Sequence, residues 1–174
     1  MLPGPLHAAL DALRKMDNPK SSRHSKITGN FGEALILYWL SKQGYECALI
    51  DHTGIDIIAR DPKSTDVLGI SVKSRSRLEG TEQSHVNIMK TDIRKAEEAC
   101  KSFHCVPYFA IVIDARKRIH GYLLSSSHLL ELCPGGAKVS AWPMTTKRLE
   151  QYAVDACIKS FVLTEERDGW AKGV

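Results

Sequence analysis

The pattern of apolar and polar residues along the chain predicts a mixture of helices and strands. Apolar residues at helical spacing indicate helices, and short β-branched runs bounded by turn residues indicate strands. Predicted helices cover residues 6–16, 30–44, 90–103, 127–132 and 145–160. Predicted strands cover residues 45–50, 54–59, 67–74, 106–114 and 118–125. This order predicts an α/β fold in which a mixed central β-sheet is flanked by helices on both faces.

The second and third predicted strands are joined by the turn-rich segment RDPKSTD, which favours a β-hairpin. The sequence contains no internal repeat and no segment with the composition of a linker. We therefore expect a single domain over residues 1–174, with its core at about residues 25–125, an N-terminal helix and a C-terminal helical extension.

The composition is typical of a globular protein in water, with 43% apolar and 25% charged residues. No apolar run approaches the roughly 20 residues of a membrane span, and the N-terminal segment lacks the pattern of a secretory signal. The five cysteines form no CxxC motif. This favours reduced thiols and a cytoplasmic location over a disulfide framework.

Basic residues suit a polyanionic partner, since the formal net charge is +4. One group lies in a polar segment that is predicted to be a loop, namely Lys20, Arg23 and Lys26. A second group alternates along the chain and would share one face if the chain is extended there, namely Lys73, Arg75 and Arg77. The simpler interpretation of each group is a solvated surface. The alternative is a set of phosphate contacts to DNA.

Two charged residues interrupt apolar strand-like runs. Asp56 lies in GIDIIA and Lys73 lies in GISVKSR, and a charge in such a run is costly unless it is paired or binds an ion. Ser71 and Lys73 point to the same face of their strand, and a hairpin would place Asp56 opposite them. One interpretation is a structural Asp56–Lys73 ion pair without chemistry, and the other is a functional site.

Glu33 is the third candidate. On the predicted helix it shares a face with Ile36, Leu37 and Leu40, so it is expected to face the core. Asn30 and Glu33 also have the spacing of a capping box, which would explain the glutamate without a site. Two carboxylates with a lysine nearby have the chemistry to hold Mg²⁺ beside a phosphate and to assist an attacking water.

The pattern GNFGEALILYWLSKQGYECALIDHTGIDIIA followed by GISVKSR resembles the PD-(D/E)XK nuclease superfamily, and within it the Holliday junction resolvases and related small nucleases. The resemblance covers about residues 29–113. It implies a restriction-endonuclease-like core of order αβββαβ that binds Mg²⁺, which Mn²⁺ can replace. It also implies that Asp56, Glu33 and the carbonyl of Val72 hold the metal and that Lys73 is the motif lysine.

Ser71 departs from that superfamily pattern, which usually has Glu, Asp or Gln at this position. A neutral hydroxyl is a weaker ligand for a hard divalent cation. In one explanation the site remains catalytic because Ser71, or an acid that moves in from the following helix, completes the metal site, and the candidate acids are Glu82, Asp92 and Glu97. In the other, the fold persists without nuclease activity.

The resemblance implies a metal-dependent endonuclease that hydrolyses phosphodiester bonds in DNA, with branched DNA as a substrate and a homodimer as the assembly. Phosphates would be bound by Arg75 and Arg77 and by the early basic segment, Lys20, Arg23 and Lys26. The alternative is a catalytically inactive nuclease-fold domain that serves as a nucleic-acid-binding or scaffold protein.

Overall fold

A computed structural model describes residues 20–164 of the chain, which form four helices and eight strands. The helices are α1 (His24–Lys42), α2 (Lys90–Phe103), α3 (Ser126–Leu132) and α4 (Thr146–Val154). The strands are β1 (Glu46–His52), β2 (Ile55–Arg60), β3 (Val67–Ser76), β4 (Val86–Met89), β5 (Val106–Asp114), β6 (Arg118–Ser125), β7 (Val139–Trp142) and β8 (Lys159–Thr164). Within these residues no helix is both long and apolar enough to cross a membrane.

Six strands form one mixed sheet in the order β1-β2-β3-β5-β6-β8. The β3–β5 pair is parallel, and the other four pairs are antiparallel. The short strands β4 and β7 form a separate antiparallel pair. The mixed central sheet predicted from the sequence is therefore confirmed, and the hairpin between β2 and β3 is present.

The two faces of the sheet are covered by different helices. Along β5, Phe109 and Ile111 pack with the core that contains Ile93 of α2. The intervening Ala110 packs with the core that contains Ile36 of α1. This is the alternation expected of a strand that is buried on both sides. Helix α1 thus lies on one face and helix α2 on the other.

Helix α1 begins earlier than the sequence pattern indicates. The predicted start was residue 30, whereas the helix begins at His24, so Lys26 is helical, while Lys20 and Arg23 precede the helix. Asn30 therefore lies inside the helix, and the capping-box interpretation of Asn30 and Glu33 is wrong. The first turns are exposed and lack an apolar stripe, which is why periodicity does not detect them. The helix ends near Gly44, whose φ of 84° suits glycine at a helix C-terminus.

The region after residue 125 differs most from the prediction. The helix predicted for 145–160 is shorter, Thr146–Val154, and is followed by β8, which pairs with β6. The C-terminal extension is therefore partly strand rather than wholly helical. Strand β8 is an exposed edge strand in which apolar and polar residues do not alternate, so the sequence pattern does not predict a strand there. The predicted helix at 6–16 lies outside the described residues.

Gly32 sets the distance between α1 and the sheet. A Cβ atom at this position would lie 1.7 Å from Ser74 Oγ and 2.9 Å from Ser74 Cβ, so only glycine allows the helix to approach β3 this closely. Glu33 is the next residue along the helix. The close packing at Gly32 therefore also fixes how near Glu33 comes to the strand that carries Lys73.

We expect Gly32→Ala to lower the free energy of unfolding by about 1–3 kcal/mol, because the added methyl group forces α1 away from β3. Gly29→Ala is the matched control in the same helix, since its Cβ would meet no atom within 4 Å. That control is expected to gain up to about 1 kcal/mol from the higher helix propensity of alanine. Urea unfolding of both variants checks the pair, and equal effects would contradict the packing role of Gly32.

An ionic contact joins α3 to the turn after α4. His128 Nε2 lies 2.8 Å from Asp155 Oδ2, and His128 Nδ1 lies 3.1 Å from Glu131 Oε2. The hydrogen bond with Asp155 is the main cause that raises the pKa of His128, and the same bond lowers the pKa of Asp155. The contact therefore favours a protonated imidazole between two carboxylates.

The stabilisation from this contact is expected to depend on pH. The pKa of His128 is raised in the folded chain, so its contribution is complete below the unfolded value of about 6.5 and is lost as the pH rises through the folded value. His128→Gln should lower stability by about 1 kcal/mol near pH 5.5 and by clearly less near pH 9. Thermal melts across this range check it, and a loss that is the same at every pH would contradict it.

Candidate active site

The β2–β3 hairpin brings three of the predicted residues together. Its register pairs Ile57 with Ile70, and one further step places Asp56 opposite Ser71. Ile57 and Ile70 belong to the core under α1. Since neighbouring side chains alternate, Asp56, Ser71 and Lys73 face the side covered by α2.

The Asp56 carboxylate is anchored on the backbone of the neighbouring strand. Its Oδ2 accepts a hydrogen bond from the N–H of Val72 at 2.6 Å. Burial is the main influence on Asp56 and raises its pKa, whereas the Val72 N–H, the charge of Lys73 and the Ser71 hydroxyl oppose that rise. The net shift is upward, so the folded chain disfavours a bare negative charge at Asp56.

The backbone of Val72 is available to Asp56 because the hairpin ends at this point. Strand β2 pairs with β3 only from Val67 to Ile70, whereas β3 continues to Ser76 beside β5. In an extended strand the N–H and C=O of one residue point to the same edge. The Val72 carbonyl is therefore directed to the edge at which its N–H contacts Asp56, which is where the sequence predicted a ligand carbonyl.

Lys73 forms its ion pair with the helix rather than with Asp56. Its Nζ lies 3.0 Å from Oδ2 of Asp92, which is in the first turn of α2. The structural Asp56–Lys73 pair that the sequence left open is thus replaced by a Lys73–Asp92 pair. Both charges nevertheless act on Asp56, since Lys73 lowers its pKa and Asp92 raises it.

Glu33 lies half-buried on α1, on the same side of the helix as the buried Ile36 and Leu40. Burial is the main cause that raises the pKa of Glu33, and the negative charge of Asp56 raises it further. Asp56 therefore interacts electrostatically with both Glu33 and Asp92, and Asp92 is paired with Lys73. Neighbouring carboxylates whose negative charges repel each other are the arrangement that a divalent cation relieves.

Ser71 is buried, with 3% of its surface exposed, and its hydroxyl is hydrogen-bonded to the Asp56 carboxylate. Among the acids considered as a replacement for the missing charge, Asp92 is the one that contacts Lys73. Glu97 instead accepts a hydrogen bond from Ser126 Oγ at 3.4 Å, and Glu82 lies in the loop between β3 and β4. In the sequence, only the position of Asp92 on the helix that follows the Lys73 strand indicated that it could belong to the site.

A cleft of about 640 Å³ opens beside this group, between the first turns of α1, the second half of β3 and the start of α2. Its walls carry two of the predicted phosphate-binding residues, Lys20 and Arg75, together with Lys73 and Asp92. His24 and Asn87 also line it, although nothing in the sequence pattern singled them out.

The other predicted phosphate-binding residues lie outside the cleft wall. Arg23 and Lys26 are exposed at the start of α1. Arg77 is half-buried and donates hydrogen bonds to the carbonyls of Ser84 and His85, at 2.9 and 3.0 Å. Arg77 therefore holds the loop between β3 and β4 in this structure.

Comparison with known proteins supports the fold. The chain matches no protein-family model and no curated protein sequence. It is similar to the solved structure of the Holliday junction resolvase Hjc from Archaeoglobus fulgidus, with 16% identity and a TM-score of 0.51, over 70% of this chain and 88% of that one. It also resembles a nuclease from a fusselovirus, with 16% identity and a TM-score of 0.42, over 67% of this chain and 83% of that one.

Apart from the short strand β4, the elements from α1 to β5 follow the predicted order αβββαβ, and the restriction-endonuclease-like fold predicted from the sequence is confirmed by the similarity to the resolvase structure.

Proposed function

We propose that this protein is a divalent-metal-dependent endonuclease that hydrolyses phosphodiester bonds of DNA in the cleft between α1, β3 and α2. The observation that carries the proposal is that Lys73 and Asp92 line the cleft together with Val72, whose N–H is bonded to the Asp56 carboxylate. The likeness to a solved junction resolvase supports a nuclease and makes branched DNA the first substrate to test.

The donor set fits Mg²⁺, with Mn²⁺ as a substitute. Carboxylate and carbonyl oxygens are the ligands that hard cations prefer, and Asp56 and the Val72 carbonyl supply them at one strand edge. Asp92 would supply the charge that Ser71 lacks, and Glu33 would complete the site. When bound, Mg²⁺ would lower the pKa of a coordinated water and neutralise phosphate charge.

Lys73 would act on the reacting groups. In the absence of substrate its ammonium is held by Asp92, which keeps it at the cleft wall rather than in bulk water. From there it is placed to donate a hydrogen bond to the attacking water or to a non-bridging phosphate oxygen, where negative charge develops. Ser71 would support Asp56 through the hydrogen bond between them.

DNA would lie along the basic wall of the cleft. Lys20 and Arg75 line it, and Arg23 and Lys26 extend positive charge along the exposed start of α1. Such contacts hold the phosphate backbone without reading sequence.

We further propose a homodimer, by analogy with the nucleases that the sequence resembles. We also propose a cytoplasmic location, which is supported by five cysteines that are all free thiols.

One observation favours a second candidate function, an inactive domain that binds nucleic acid or serves as a scaffold. The Ser71 hydroxyl and the Val72 N–H satisfy Asp56, and Asp92 neutralises Lys73, so the group has partners without a metal. This candidate keeps the basic cleft and predicts DNA binding that weakens with salt, without cleavage.

The deciding experiment is cleavage of labelled linear, plasmid and four-way-junction DNA in Mg²⁺, Mn²⁺ or EDTA. Asp56→Asn, Lys73→Ala and Asp92→Asn are each expected to lower the rate at least about 100-fold, because each removes a ligand or a charge at the reacting phosphate. Glu98→Gln is the control on α2, since Glu98 is exposed and faces Arg94. Salt-sensitive binding with no cutting in any metal would establish the inactive alternative.

Ser71→Ala separates the two explanations of the serine. If Asp92 supplies the missing charge, Ser71→Ala should keep metal-dependent cutting with a loss of about tenfold or less, because it removes one neutral hydrogen bond to Asp56. Asp92→Asn should lose the cutting. The opposite order of effects would show that the hydroxyl is the ligand and that Asp92 only holds Lys73.

The negative charge of Asp56, which the proposed metal site requires, is predicted to lower the stability of the folded chain when no metal is bound. The pKa of Asp56 is raised in the folded chain, so its charge is destabilising above that pKa, and the effect vanishes below the unfolded value of about 3.9. In EDTA, Asp56→Asn should therefore melt higher than the wild type near pH 8, by an amount that shrinks toward pH 4. Its amide oxygen can still accept the Val72 N–H.

The same melts report metal binding. A ligand that binds only the folded state raises its melting temperature, so Mg²⁺ should raise that of the wild type and leave Asp56→Asn unchanged. An equal Mg²⁺ shift in both proteins would place the cation elsewhere.

A further inference from the structure

A second group of metal-ligating side chains lies where α3 meets the turn between α4 and β8. It consists of His128, Asp155 and Cys157, which each offer a ligand atom within 4.8 Å of the others. None of the three lines the cleft beside Asp56. The group joins one imidazole nitrogen, one carboxylate oxygen and one thiol sulfur, which are the three ligand types that bind Zn²⁺ in proteins.

The backbone holds two of these groups in place through a tight turn. Asp155 ends α4, its carbonyl accepts the N–H of Ile158 at 3.1 Å, and its Oδ1 accepts the N–H of Cys157 at 2.8 Å. Ile158 is buried and anchors the turn in the core. The carboxylate and the thiol therefore come from one fixed turn, and Asp155 Oδ2 remains directed at His128.

His128 is held from the other side. Its backbone N–H donates to the side chain of Ser125, which begins α3, and the neighbouring Leu129 is fully buried. Its ring contacts Asp155 through Nε2 and Glu131 through Nδ1. A carboxylate on the second nitrogen is the usual support of a metal-bound histidine, because it fixes the ring orientation and raises its basicity.

We propose that His128 Nε2, Asp155 and Cys157 bind a Zn²⁺ ion, with Glu131 supporting the histidine and a fourth position open to water or another ligand. On binding, the metal replaces the proton between Nε2 and Asp155, and the Cys157 thiol loses its proton, so protons are released to solvent. The sulfur and nitrogen donors favour Zn²⁺ over Mg²⁺, which requires oxygen ligands. The site is separate from the proposed nuclease centre, and neither requires the other.

Zn²⁺ at this position would connect parts of the chain that are distant in sequence. Helix α3 follows directly from β6, and the Asp155–Ile158 turn leads into β8, which pairs with β6 at the edge of the sheet. Because the pair is antiparallel, the end of β6 lies beside the start of β8, and the ion would join the two strands at that end. It would stabilise the C-terminal part of the described fold, as structural zinc sites do.

The alternative is a protonated histidine between two acids, with no metal. Cys157 discriminates between these two interpretations because the ion pair does not use it. Cys157 is exposed, so its replacement by serine should not disturb packing. Cys47→Ser is the matched control, since its sulfur bonds to the carbonyl of Leu37, a contact that serine can also make.

The test is titration of the reduced full-length protein with Co²⁺ as a spectroscopic probe, followed by displacement with Zn²⁺. The wild type and Cys47→Ser should show thiolate-to-cobalt charge-transfer absorption that saturates at one ion per chain. Cys157→Ser should lose that absorption and bind Zn²⁺ at least about 100-fold more weakly. Zn²⁺ should raise the melting temperature of the first two proteins but not of Cys157→Ser.

Two outcomes would overturn the proposal. One is the absence of thiolate-to-cobalt absorption in the wild type, and the other is an unchanged spectrum in Cys157→Ser. The Co²⁺ titration is repeated with Asp56→Asn, because this variant lacks a ligand of the proposed nuclease centre and keeps all three proposed Zn²⁺ ligands. Absorption that persists in Asp56→Asn would show that this site stands whether or not the nuclease proposal holds.

Discussion

The hydrogen bond between Asp56 and the N–H of Val72 is the contact on which the site depends. Strand β3 extends beyond the end of its pairing with β2, so from Ser71 onward its backbone groups on that edge have no strand partner, while β5 still pairs with the other edge. A buried N–H without a partner is costly, and the Asp56 carboxylate supplies the acceptor at 2.6 Å. This hydrogen bond lies where the β2–β3 pairing ends, and it holds the Asp56 carboxylate at the strand edge to which the Val72 carbonyl is directed.

The distribution of charge around that bond explains how serine can stand at position 71. An acid at position 71 would face Asp56 directly across the hairpin, where two buried carboxylates raise each other's pKa. In this chain the negative charge lies on α2 instead, where Asp92 is 3.0 Å from Lys73 and near the positive end of the helix dipole. Ser71 donates a hydrogen bond to Asp56 rather than repelling it. Moving the charge from strand to helix lowers the repulsion that the folded chain must withstand.

The sequence was sufficient to predict the hairpin and the side chains that share its face, because strand alternation relates Ser71 to Lys73 and the short turn between the strands places Asp56 opposite them. It also predicted the bounds of α2 correctly, since that helix has a clear apolar face. It missed β8, an exposed edge strand whose pairing depends on a distant partner.

The sequence could not choose between Asp92 and Glu97 as the acid beside Lys73. Side chains that are five residues apart on a helix point in directions about 140° apart, and only the docking of α2 decides which of them faces the strand. His128 and Asp155 lie 27 residues apart, and no spacing rule connects them.

Helix packing links stability to chemistry in this fold. Gly32 lets α1 approach β3 closely enough for Asp56 to raise the pKa of Glu33, so the backbone contact that tightens the core also brings like charges together. Burial is the main reason that the folded-state pKa of each acid lies above its ordinary value, and repulsion by a neighbouring carboxylate adds to it. A cation bound among these acids would remove that repulsion and would bind more tightly for it. The close packing at Gly32 and the affinity for a metal are therefore two consequences of the same geometry.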